Sequence, residues 1–136
     1  MKATLLYRIA SVVLVLFCAG HTFGFPRFRP PTPEGIAVRD SMKSVRMQVG
    51  SKQYSYAGFY YGFGYYITAY LLFSALLAWQ LGNLAARDPQ AIGVLGWGFA
   101  ALQGAGLVLS WLYFFPVTAA FSGVVFLLTA WAAFLV

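Results

Sequence analysis

Four long apolar runs limit this chain most: residues 5–25, 58–79, 92–115 and 117–136, in which Arg8 is the only charged side chain. A helix rises about 1.5 Å per residue, so roughly 20 residues cover the hydrocarbon layer of a bilayer, about 30 Å thick. Each run has that reach. Composition points the same way: 61% of residues are hydrophobic, 9% are charged and the mean hydropathy is +0.74, whereas soluble domains carry about 25% charged residues. The expected fold class is therefore all-α, a four-transmembrane-helix bundle forming a single membrane domain over residues 1–136.

The first run begins like a secretory signal, with MKATLLYR ahead of IASVVLVLFCAG. No small-x-small cleavage site follows it, and Phe17 before Cys18 does not suit a lipoprotein signal, so a retained helix over residues 5–25 is expected.

Residues 26–55 form a basic loop. Pro26, Pro30, Pro31 and Pro33 favour an extended path, either a plain linker or a PxxP ligand for an SH3-like partner. Thr32-Pro33 reads as an N-cap with proline at the first helical position, and Gly50 as a stop, which predicts a helix over residues 33–49. Val38, Met42, Val45 and Val49 make its apolar row, and Arg39, Lys43 and Arg46 a parallel basic row. Such an amphipathic helix lies on a membrane surface or caps the ends of the spanning helices. The net charge of +6 falls between apolar segments, so anionic lipid headgroups rather than nucleic acid are its expected counter-charge. Arg27, Arg29, Arg39, Lys43 and Arg46 are the expected headgroup contacts, the first two alternating with Phe25 and Phe28.

Residues 54–70 hold seven of the nine tyrosines. Tyrosine favours the headgroup level, yet Tyr65, Tyr66 and Tyr70 fall too deep in the second run for all to be belt residues. Some of their hydroxyls are expected to face other helices or a cavity. Gly58-x-x-x-Gly62, with Gly64 on a second track, and Gly96-x-x-x-Ala100-x-x-x-Gly104 in the third run predict close helix packing, within one chain or between copies. Residues 80–89, with Gly82, Asn83, Arg87 and Pro89, should close the second helix.

Few side chains could carry chemistry. His21 follows Cys18 by three residues and lies on the same helical face, open to a metal contact completed by a partner, a general base or a structural hydrogen bond. Gln103, mid-way along the third run, offers an interhelical hydrogen bond or ligand recognition. One cysteine excludes an intramolecular disulfide, and one histidine makes neither a protein-built metal site nor a cofactor expected. Glu34, Asp40 and Asp88 all fall outside the runs, against a carboxylate-coupled proton transporter. Walker A, nucleophile-elbow, HExxH and CxxC motifs do not occur.

Orientation is read from the basic residues. Arg27, Arg29, Arg39, Lys43, Arg46 and Lys52 in the first loop, against Lys2, Arg8 and Arg87 on the other side, favour a cytoplasmic first loop. The start, with Lys2 and Arg8 ahead of the apolar run, has the opposite pattern of an N-in signal anchor. We give the anchor precedence, since an amphipathic helix hides loop charge, and expect both termini in the cytoplasm.

FYYGFGYY and LLAWQLGNL, with His21-Thr22-x-Gly24 and Tyr113-Phe114-Phe115, resemble a family of small uncharacterised bacterial four-helix membrane proteins. In that family the second helix opens on Arg-Ser-x-x-Asp-Phe-Tyr-x-Gly-Phe-Gly. Tyr54 and Gly58 stand here at the Arg and Asp positions, so a function built on that charged pair is not implied. The resemblance implies the fold and an inner-membrane setting and carries no activity. The expected function is a lipid- or apolar-ligand-binding bundle, or an accessory subunit with a membrane-protein or homo-oligomeric partner. His21, Tyr65, Tyr66, Tyr70 and Gln103 are its candidate ligand site. The alternative is a lipid-modifying enzyme centred on His21 and the Tyr60 to Tyr66 cluster.

Overall fold

The computed structural model describes residues 2–136. Its elements are α1 (Ala3–Gly24), α2 (Pro33–Ser44), β1 (Arg46–Val49), β2 (Lys52–Ser55), α3 (Tyr56–Arg87), α4 (Gly93–Tyr113) and α5 (Pro116–Phe134). The fold is all-α but for one hairpin. Four helices are long and apolar enough to cross a membrane, Ala3–Arg27, Tyr56–Arg87, Gly93–Tyr113 and Pro116–Phe134, the build of a helical membrane protein.

Local signals explain most helix ends. A 3-10 turn at Phe25–Arg27 follows α1, with Pro26 in its first turn. Thr32 caps α2 by accepting the Gly35 N–H at 3.2 Å, ahead of Pro33 and Glu34. After α3 the Asp88 carboxylate accepts the Ala91 N–H at 3.3 Å, and Pro89 opens a short 3-10 turn.

Two boundaries depart from expectation. The amphipathic helix predicted over residues 33–49 stops at Ser44, whose hydroxyl donates back to the Asp40 and Ser41 carbonyls, both at 3.2 Å. Residues beyond it form an antiparallel hairpin pairing Arg46 with Ser55, Met47 with Tyr54, Gln48 with Gln53 and Val49 with Lys52. Val45, Met47 and Val49 alternate with polar residues, a strand period that the helical spacing of Val38, Met42, Val45 and Val49 concealed. Gly50 is the turn residue of that hairpin rather than a helix stop, at φ +63°, a backbone region that side chains disfavour. The second departure is at the other end of α3, which continues through residues 80–87 before stopping at Arg87. Packing outweighs the local stop signals there: Leu81 is fully buried, and Gly82 sits against the Thr4 carbonyl and the Arg8 side chain.

The chain divides into two compact units, Met1–Cys18 with Leu71–Val136, and Ala19–Tyr70. In the first, segments of α1 and α3 pack with α4 and α5 around Leu6, Tyr7, Leu14, Leu81, Ile92 and Val125. Small residues bring the backbones together, with Ala10, Ala78 and Ala132 fully buried. Hydroxyls tie the helices: Ser11 donates to the Ala75 carbonyl at 2.8 Å, and Ser110 and Ser122 share a hydrogen bond at 3.0 Å. Phe17 stacks on Phe121 at 5.1 Å, and the Arg8 guanidinium lies 5.3 Å over the Trp79 ring.

Candidate functional site

The second unit, Ala19–Tyr70, is organised by aromatic rings. His21 Nε2 donates to the Gly64 carbonyl at 2.9 Å, and because a carbonyl can only accept, that nitrogen carries the proton. The neutral ring then keeps its lone pair on Nδ1. The Thr22 and Thr68 hydroxyls meet at 2.9 Å, so two hydrogen bonds join the end of α1 to the middle of α3. Phe25 stacks on His21 at 4.9 Å and meets the edges of Tyr65 at 5.3 Å and Tyr60 at 6.2 Å. Gly64 makes this possible, since a Cβ there would clash with the edge of the Phe25 ring.

Beside this cluster lies a pocket of about 170 Å³, lined among others by Phe25, Phe28, Met42, Tyr60, Arg39 and Lys43. Each wall follows from local structure. Gly35, Val38, Arg39, Met42 and Lys43 recur at helical spacing and present one face of α2; Ala57, Tyr60 and Tyr61 do the same at the start of α3. Pro30 closes over Gly35, where a Cβ would lie 2.6 Å from the proline Cβ. The pocket sits along the border between the apolar and basic rows of α2, beside the end of one candidate span and the start of the next.

Charge is confined to one part of this lining. Asp40 lies 3.9 Å from Arg39 Nε and 3.5 Å from Lys43 Nζ, so one carboxylate faces two cations. At 3.9 Å there is no hydrogen bond, and Arg39 Nε is buried without a partner. Arg27 is occupied elsewhere, donating to the Phe23 carbonyl at 2.8 Å with its guanidinium over the Phe23 ring. Arg29 and Arg46 are exposed, Arg46 within β1.

The ligand-site residues expected from sequence divide between the units. His21, Tyr65, Tyr66 and Tyr70 belong to the second, where Tyr65 remains 55% exposed and Tyr66 74% exposed. Gln103 belongs to the first, where it is buried and donates to the Ser74 hydroxyl at 3.5 Å. The glycines divide as well. Gly64, Gly96 and Gly104 lie against Phe25, against Ile92 and Tyr7, and against Phe126, respectively, and Ala100 is buried. Gly62 has nothing within 4 Å of a Cβ position, and Gly58 meets only the Ser55 hydroxyl.

Comparison with protein-family models, with curated proteins and with solved structures finds nothing that matches this chain. Sequence reasoning missed Phe28, Pro30, Gly35 and Ala57 as pocket residues. The available signal was the adjacency of the Val38/Met42 and Arg39/Lys43 rows, which marks the border where an amphiphile would lie.

Proposed function

We propose that this protein is a non-catalytic multi-pass protein of a bacterial inner membrane that binds a lipid at the pocket of its second unit. One observation supports the reading above others: an apolar, aromatic cavity with two cations in its lining, beside the ends of two candidate membrane spans. An amphiphile needs that combination, apolar walls for the carbons next to its headgroup and charge at the level of the headgroup itself. Native mass spectrometry after gentle extraction tests it. One lipid should stay bound per chain, and Ala57→Phe, which fills the cavity, should release it; a bare monomer retaining neither lipid nor partner overturns the proposal. The signal-anchor pattern of Lys2 and Arg8 ahead of the first apolar run supports both termini in the cytoplasm. In a Cys18→Ser background, a cysteine introduced at position 35 should react with an impermeant reagent in intact cells and one at position 87 should not. The reverse labelling would invert the orientation.

A further inference from the structure

We infer that the pocket is a headgroup site for an anionic phospholipid, with Arg39 and Lys43 selecting the phosphate. The inference rests on the lipid-binding reading above and adds the class of lipid. Size limits what enters. A cavity of about 170 Å³ is roughly six times the volume share of one water molecule, enough for a phosphate and a neighbouring carbon but not for an acyl chain. The chains must therefore lie outside it.

Charge decides between headgroups. The pocket lining carries two cations against the single carboxylate of Asp40, an excess of one positive charge. Arg39 Nε is buried, while the side chain as a whole keeps 35% of its surface exposed, so its accessible part can meet a phosphate oxygen. The walls complete the fit: Phe25, Phe28 and Met42 offer contact to the carbons next to the phosphate, and Tyr60 supplies a hydroxyl. A zwitterionic lipid brings its own ammonium group, which offsets the attraction to Arg39 and Lys43. An anionic one does not.

The test uses the full-length protein in nanodiscs of phosphatidylcholine and phosphatidylglycerol in equal amounts with matched chains, followed by native mass spectrometry of the retained lipid. Phosphatidylglycerol should be enriched, about five-fold for each cation that contributes. Arg39→Gln and Lys43→Gln should each lower the enrichment while lipid stays bound. Lys52→Gln removes the same charge from the hairpin and should leave the preference intact. Retention without headgroup preference, or an equal loss in Lys52→Gln, overturns the inference and leaves lipid binding standing. Displacement of phosphatidylglycerol by excess inorganic phosphate also overturns it, since the site would then belong to the free anion. Failure of the wild-type protein to retain any lipid removes the underlying reading instead.

Discussion

The two units of this molecule solve the problem of packing in lipid by opposite means. The first uses small side chains: Ala10, Ala78 and Ala132 let backbones approach, and Ser11 and the Ser110–Ser122 pair hydrogen-bond where they meet. The second uses large ones, with Phe25 held against His21, Tyr60 and Tyr65 and a pocket left beside them. Hydrocarbon tails are as apolar as leucine, so association inside a bilayer depends on contact quality and hydrogen bonds rather than on expelling water. Small residues let backbones touch along their length; in the second unit the rings hold one another and line a gap between α2 and the start of α3.

The contrast should break most visibly at Gly96. Leucine there must displace Ile92 and the Tyr7 hydroxyl, and overpacking of this kind costs about 1–3 kcal/mol. A lowered unfolding midpoint in mixed detergent titrations is expected, and an unchanged midpoint would show that the first unit is looser than described. Gly64→Ala probes the second unit. The Phe25 ring must move to admit the methyl group, at a cost of up to about 1–3 kcal/mol, whereas Gly62→Ala meets open space and should gain up to about 1 kcal/mol of helix propensity. Opposite signs in the same titration are the expected result, and equal effects would remove the distinction between the two glycines. The smallest effect belongs to Gln103→Leu, which loses the bond to Ser74, worth about 0.6–1 kcal/mol in a membrane bundle. In a double-mutant cycle Ser74→Ala should add little to it.

How far the sequence led depends on the range of the interactions. The four spans were legible because run length and apolarity are local properties, and the start of α2 because Thr32-Pro33 is a self-contained cap. The hairpin was not. Residues 45–49 satisfy a helical and a strand period at once, and only pairing with residues 52–55 decides between them. The continuation of α3 past Gln80 was likewise hidden, because Gly82 reads as a stop until Arg8 and Thr4 are packed against it. The pocket was the least legible part. Its walls come from the 3-10 turn, α2 and α3, and its charge depends on Asp40 lying beside Arg39 and Lys43.

The length of α3 has a consequence for the choice of membrane. Its 32 residues extend about 48 Å at 1.5 Å per residue, against a hydrocarbon layer of about 30 Å. Even at a tilt of about 40°, the upper end of what spanning helices adopt, some 37 Å would remain along the bilayer normal. At least one turn of α3 must stand outside the hydrocarbon, so a thicker bilayer can swallow more of the helix without stretching it. Hydrophobic thickness is thus a variable that this helix can absorb, by tilting or by drawing in its polar ends, where shorter helices such as α5, with 19 residues, have no such reserve.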